Sequence, residues 1–443
     1  MTSSTLSSTD ARTKNALMDH VLACSDPEVL HLDGDLTFST GFMPRTAADR
    51  PLTGAHEAWE QLARQLPGLT TSPHAQRIIA DLPMIPAGVD DLPDSELKRA
   101  ATVLGTIAQS YWRFGIGPMY LARGEQISPN LPAVVERPWR QVNHRLGRAE
   151  VTLSTEDCFF NNFTFIDAGR VAGDGTYRIE DARIELIRPK VPAFGNEAER
   201  VFNAAFVEVD SVIAPVVRLT CRLAEVLAEG GPDAHGEIGT LLSAIADCAR
   251  GAMKAFRRIS PRKGSATHCD PVDLAKTFAM WDVPAPGYPT GPSGSATPVL
   301  HFFDALIGRS RYDTELGRFA HHLRDNQLPA KHRVFFDLVR ELDVRGYVTG
   351  LAESAPARYR EVSAAFNEVV SSFAGDDGFL GVHKGKVIDY LGVGTVVGRN
   401  QSTAHDQIFI ADATWTGMAD KLQQARDERT TRAVDHKGGP CFP

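Results

Sequence analysis

From residue 196 to residue 391 the chain is a near-continuous series of helical apolar repeats, and this periodicity limits the fold more than any other feature. Phe202, Phe206, Val209, Ile213, Val216, Leu223 and Leu227 form one stripe of a helix of about eight turns, with Pro215 inside it as an expected kink or break. Ile238, Leu241, Ile245, Cys248, Ala252 and Phe256 form a second stripe. Asp270-Pro271 is an N-cap followed by proline at the first helical position, and it opens a helix that ends near Trp281. Thr297-Pro298 repeats that signature and opens Val299 to Ile307. Further helices are expected at 313–324, 332–342, 357–373 and 380–391.

Residues 15 to 130 read as short helices joined by proline-rich turns, at 56–66, 72–82 and 94–114. Leu97, Ala101, Leu104, Ile107 and Tyr111 give the last of these its spacing. Gly115, Gly117, Pro118, Pro129, Pro132 and Pro138 make residues 115–140 a linker. Between 164 and 192 the pattern changes. Gly173-Asp174-Gly175 precedes an alternating run from Thr176 to Ile187, which reads as a β-hairpin inserted in a helical protein. The expected organisation is therefore a small helical N-terminal domain with linker over 1–148, and a large helical domain over 149–443.

Composition removes several function classes. The net charge is −8, from 47 basic and 55 acidic residues, and no basic stripe is present, which argues against nucleic acid and anionic membranes as partners. The first ten residues lack a basic region and an apolar core, so they do not resemble a secretory signal, and the first dozen read as a disordered tail. No apolar run approaches the roughly 20 residues of a membrane helix. Cys24, Cys158, Cys221, Cys248, Cys269 and Cys441 are irregularly spaced and none is paired as Cys-x-x-Cys. This argues against zinc and against a disulfide framework, and a reduced cytoplasmic location is expected.

Two segments carry candidate chemistry. His383 lies in Leu380-Gly-Val-His-Lys-Gly-Lys-Val-Ile-Asp-Tyr-Leu391, on one face with Leu380, Val387 and Leu391. An inward imidazole is costly unless its nitrogens are satisfied, by a hydrogen bond or by a metal. Gly291-Pro-Ser-Gly-Ser-Ala-Thr297 is either an ordinary inter-helix loop or a run of small residues that lets backbone approach a flat ligand. Other histidines compete with His383. His332, between Lys331 and Arg333, reads as solvent-facing; His301 follows the small-residue loop; only one of His321 and His322 can face inward.

Four segments, in order, resemble the indoleamine 2,3-dioxygenase family: Asp157-Cys158 after an apolar Val-Thr-Leu run, Gly291 to Gly308, Leu328-Pro-Ala-Lys-His-Arg-Val-Phe-Phe336, and the His383 helix. Gly41-Phe-Met-Pro44, Trp59, Leu66-Pro67 and the helix ending at Trp112 extend the resemblance over about residues 31–427. The resemblance implies a mostly α, two-domain fold with haem (heme b) held in the larger domain, O2 as co-substrate and a small aromatic substrate. It implies His383 as the iron ligand, with Ser293, Gly294 and Tyr390 beside the cofactor. Thr155, Cys158, Phe159, Phe202, Ala204, Phe206 and Ser295 would line the substrate pocket, with Cys158 a neutral thiol rather than an axial thiolate.

Three departures bear on the substrate. The family's aromatic pair and arginine are missing from the helix after Asp270-Pro271, where Lys276 and Phe278 alone could stand in. Gly394-Thr395 and Gly398 do not reproduce the family's glycine-threonine cover, because Arg399 to Thr403 is polar. The 167–192 hairpin is an insertion. The expectation is a haem-dependent oxygenase on an indole or other electron-rich aromatic, in a biosynthetic or tailoring role, as a monomer or homodimer. The alternatives are tryptophan ring cleavage, a haem hydroxylase or peroxygenase, a non-catalytic haem gas sensor, and a helical protein whose haem site has decayed.

Overall fold

The structure is a computed structural model that describes residues 8–26, 29, 32–85, 88–114, 130–231, 234–284, 287–288, 290–309, 311–396 and 415–435. Much of the expected linker, the segment from Gly398 to Thr403, and Cys441 lie outside the described residues.

The N-terminal part carries α1 (Ser8–Cys24), α2 (Glu57–Leu69), α3 (Ala75–Ala80), α4 (Leu97–Arg113) and α5 (Ala133–Arg145). There follow β1 (Phe163–Phe165), β2 (Ile187–Pro189), α6 (Glu197–Val212), α7 (Val216–Glu229), α8 (Ala234–Arg257), α9 (Pro271–Lys276) and α10 (Phe278–Trp281). The last group is α11 (Pro298–Leu306), α12 (Glu315–Asn326), α13 (Ala330–Glu341), α14 (Val344–Ser354), α15 (Pro356–Ala374), α16 (Phe379–Val396) and α17 (Trp415–Thr430). The mostly α class expected from periodicity is what the chain adopts. The long helix α8 packs on α15, α6, α7 and α16. Its stripe of Ile238, Leu242, Ile245, Ala249 and Ala252 is fully buried.

Four local features differ from expectation, each for a physical reason. α1 begins at Ser8, inside the stretch expected to be a tail, and its Leu17 and Val21 are buried. The single helix expected over 202–227 is two, α6 and α7, broken before Pro215, which has no N–H to donate and serves as the N-cap of α7. The turn so formed is a docking point: at Gly41 (φ +62°) a Cβ would lie 2.6 Å from the Ala214 Cα, so only glycine fits.

The helix opened by Asp270-Pro271 stops at Thr277 (φ −116°, ψ −97°), so α9 and α10 are separate. The cap itself forms as expected, the Asp270 carboxylate accepting the Val272 N–H at 2.8 Å. Finally, the alternating run 176–187 is not a strand. β1 and β2 pair antiparallel with Phe165 opposite Ile187, and 3₁₀ turns occupy Ala168–Arg170 and Ile179–Asp181 between them. Tertiary partners replace the ladder. Tyr177 packs on Phe163 and Phe165 and donates its hydroxyl to the Pro44 carbonyl at 2.8 Å, while the Ile184 N–H is taken by the Glu208 carboxylate at 2.8 Å.

Candidate functional site

A cavity of about 220 Å³ opens between the Gly291–Thr297 loop and the helices α6, α16 and α17. Its wall is mainly apolar, and it brings together residues more than 250 positions apart in sequence, from Phe159 to Arg429.

One wall begins at a π-turn, Glu156–Phe160, a wide turn often found where a side chain is re-aimed toward a ligand. The turn is fixed from behind. Asp157 forms a two-pronged pair with Arg148 at 2.5 and 2.8 Å, and the same guanidinium grips Asp33 at 2.8 Å on both oxygens. Phe159 projects into the cavity and stacks on Phe206, with ring centroids 4.2 Å apart and planes at 6°. Phe202, one turn before Phe206 on α6, meets that ring edge-on at 5.2 Å. Ala204 is buried but does not line the cavity; two residues from each phenylalanine, it lies on the opposite face of α6.

Cys158 and Thr155 also stand behind the wall rather than in it. Burial raises the Cys158 thiol well above its ordinary value, reinforced by the carboxylates of Asp282, Glu199 and Asp157, so it is a neutral thiol. Thr155 acts on the neighbouring loop: its hydroxyl donates to the Ser293 carbonyl at 2.9 Å.

That loop supplies Ser293, Gly294, Ser295 and Thr297 to the cavity. Its carbonyls are satisfied in turn. Thr297 Oγ1 donates to Gly294 at 2.7 Å, and His301 Nε2 donates to Ser295 at 2.8 Å. His301 is therefore a positioning residue for the loop and does not line the cavity. Two glycines are needed for packing. At Gly291 a Cβ would meet the Asp282 carbonyl at 2.4 Å, and at Gly294 it would press on the Phe206 ring at 3.1 Å.

The facing wall is α16. Phe379, Leu380, His383, Lys386, Val387 and Tyr390 all reach the cavity, at the three- and four-residue spacing read from the sequence. The His383 ring lies 5.4 Å from Phe256 and 6.4 Å from Phe379. Among the described residues no hydrogen bond engages it. Burial, with help from the Arg429 charge, lowers its pKa to about 4, so the imidazole is neutral at physiological pH. A neutral, unbonded imidazole facing an apolar cavity is the form that ligates a metal. No cluster of three or more His, Cys, Asp or Glu suited to a metal occurs among the described residues.

Cations complete this wall. Arg429 of α17 lines the cavity and is paired with Asp304 at 2.6 and 2.7 Å, and Arg309 joins the same carboxylate at 2.9 Å. Burial would raise Asp304, but the two guanidiniums outweigh it and hold the carboxyl below its usual value. Lys386 donates to the Ile259 carbonyl and its ammonium sits 5.6 Å from the Tyr390 ring. The Tyr390 hydroxyl is buried with no hydrogen-bond partner among the described residues. Arg426 also lines the cavity.

Two sequence expectations fail at the site's margins. His332 is fully buried, not solvent-facing. It donates Nε2–H to the Asp35 carbonyl at 2.6 Å, and its Nδ1 is 3.7 Å from the Glu156 carboxyl. The neighbouring Lys331 misleads because its ammonium caps the carbonyls of Val29 and Gly34, at 2.8 and 3.2 Å. Lys276 is exposed and Phe278 packs behind Phe159 and Phe202; neither lines the cavity. In their place the segment contributes Leu274, Ala279 and Asp282. The spacing of Lys386, three residues after His383, could have been read from sequence. Arg426 and Arg429 were missed, although Met418, Leu422 and Ala425, four and three residues apart, mark the face of α17 that lines the cavity.

Comparison with known proteins agrees with this geometry. Residues 33–273, just over half of the chain, match the indoleamine 2,3-dioxygenase family. An indoleamine 2,3-dioxygenase of Penicillium citrinum, qulI, is 30% identical over 112 residues, which is 25% of this chain and 23% of the relative. The chain thus spans about a quarter of that relative's length. The family match contains the Phe159 wall and α6 and ends in α9, before the small-residue loop and before His383. The chain belongs to the indoleamine 2,3-dioxygenase family.

Proposed function

We propose that this chain is a haem-dependent oxygenase that uses O2 on an indole or another electron-rich aromatic. The observation that carries the reading is the neutral His383 imidazole, without a hydrogen bond, facing the stacked Phe159–Phe206 pair across one apolar cavity. His383 would hold the iron, and Ser293, Gly294 and Tyr390, which line the same cavity, would lie beside the cofactor. Haem, when bound, supplies the redox chemistry that activates O2.

The chain's own residues bind, orient and exclude water. Phe159, Phe202 and Phe206 offer ring faces and edges to a flat aromatic. The satisfied carbonyls of the 293–297 loop keep the site's shape fixed before any ligand arrives. The name of the Penicillium relative supports a dioxygenase reading.

A tailoring role on a substrate without a free carboxylate follows from the missing clamp. The helix after Asp270-Pro271 places no arginine at this cavity and its Lys276 is exposed; the arginines that line the cavity, Arg426 and Arg429, come from α17 on the His383 wall. A buried carboxylate without a paired guanidinium is costly. Indole or tryptamine should therefore bind better than L-tryptophan.

The test is turnover of the haem-loaded protein under ¹⁸O₂ with indole, tryptamine and L-tryptophan, read by mass spectrometry. Two labelled atoms in the product support a dioxygenase, and one supports the hydroxylase alternative. No product from any of the three sinks the oxygenase reading. A strong preference for L-tryptophan sinks the tailoring role.

A further inference from the structure

We infer that Arg426 is an anion-binding residue of the cavity, and that the group it takes is a carboxylate. The inference rests on the proposed haem site and assigns a role to a helix that lies outside the family match.

The guanidinium is poorly satisfied where it stands. Arg426 lines the cavity and is 12% exposed, yet its Nε–H is buried and has no hydrogen-bond partner among the described residues. Its ion-pair partner there is Asp376, at 2.6 Å, and that side chain is 88% exposed. So exposed a carboxylate is hydrated and screened, and it contributes little. Arg429, one turn further on, provides the contrast: its guanidinium is taken up by Asp304 and by the Ala425 carbonyl. Of the two cavity arginines on α17, Arg426 is the one with a donor still to give. A buried N–H at the wall of a mainly apolar cavity is costly until an acceptor meets it.

Position identifies the source of the acceptor. Arg429 is close enough to His383 to depress its pKa, and Asp376 lies three residues before the start of α16. Arg426 therefore belongs to the α16–α17 wall, which carries His383. A carboxylate on that side is one carried by the cofactor's rim. A carboxylate on the aromatic substrate is the other possible source. A guanidinium suits either, since its fork matches two carboxylate oxygens. Binding there also ties α17 to the cofactor.

The experiment titrates the full-length apo-protein with hemin and with hemin dimethyl ester, which has no free carboxylate, following the Soret band. Wild type should bind hemin at least ten-fold more tightly than the ester. Arg426→Gln should erase that preference by weakening hemin alone, Arg426→Lys should restore part of it, and Asp376→Asn should not weaken hemin. In parallel, L-tryptophan and tryptamine are titrated into the hemin-loaded proteins. Loss of L-tryptophan but not tryptamine binding in Arg426→Gln, with the hemin preference intact, assigns the carboxylate to the substrate and overturns the cofactor assignment. If Arg426→Gln and Arg426→Lys match wild type for all four ligands, Arg426 binds no carboxylate. If wild type binds neither porphyrin, the haem reading itself fails and the inference falls with it.

Discussion

The two walls of the cavity are built on opposite principles. In the wall formed by the π-turn, α6 and the 293–297 loop, the Arg148–Asp157 pair fixes the π-turn from behind and many small neutral contacts hold the loop. Thr155, Thr297 and His301 each satisfy one carbonyl, and Gly291 and Gly294 admit close packing. In the wall formed by α16 and α17, α17 is fastened by buried ion pairs, Arg429 to Asp304 and Glu428 to Arg309, which also holds Asp304. The most prominent cavity side chain of this wall, His383, is engaged by ring contacts and by no hydrogen bond. The loop is pre-shaped and should tolerate loss of any single hydrogen bond. The α16–α17 wall depends on a few buried ion pairs and keeps His383 unbonded for a ligand.

That contrast can be broken in graded steps. Asp304→Ala should have the largest effect on stability, about 3–5 kcal/mol by chemical denaturation, because it leaves two buried guanidiniums without their shared partner. A loss below about 1 kcal/mol would show that α17 is held elsewhere. Gly291→Ala should cost about 1–3 kcal/mol, since the new methyl meets the Asp282 carbonyl at 2.4 Å and the loop must shift. An unchanged melting temperature would mean the loop wall is softer than its hydrogen bonds suggest.

A pH-graded effect comes from Asp210, which stands behind the loop wall and accepts the Val299 N–H at 3.1 Å. Burial raises its carboxyl from 3.8 to about 8. The folded protein thus holds this proton more tightly than the unfolded chain does. Its contribution to stability is complete below about pH 4 and is lost as the pH rises through about 8. Asp210→Asn stays neutral, so its stability relative to wild type should improve from pH 4 to pH 8, by at most about 1.4 kcal/mol per pH unit. A difference that does not change with pH would refute this. The smallest effect on stability is expected for His383→Ala, within about 1 kcal/mol, because no hydrogen bond is lost. A much larger loss would make His383 a structural residue.

The helical repeats carried most of the fold in the sequence, and the three- and four-residue spacing around His383 carried its wall. What was not legible were partners supplied from far away. Thr176 to Ile187 alternates like a strand, but a 3₁₀ turn and the Glu208 carboxylate, which takes the Ile184 N–H, occupy its middle, and only Ile187 joins the β1–β2 ladder. His332 has charged neighbours in sequence, yet Lys331 spends its charge on buried carbonyls. Spacing put Phe202 and Phe206 on one apolar stripe, and the resemblance placed them with Ala204 at the pocket; the helix turns Ala204 away from the face that carries the two rings. Arg426 was missed because α17 reaches the cavity through tertiary packing with α12, α15 and α16, and the short Met418–Leu422–Ala425 row that marks its inner face was not read.

The central claim is that His383 holds the cofactor's iron. The most direct measurement is a Soret titration of the folded His383→Ala apo-protein with hemin beside wild type, with and without added imidazole. The account predicts a loss of at least ten-fold in affinity, a changed ligand signature, and partial recovery when imidazole occupies the vacated position. Equal hemin affinity with an unaltered histidine-type spectrum in His383→Ala would contradict it.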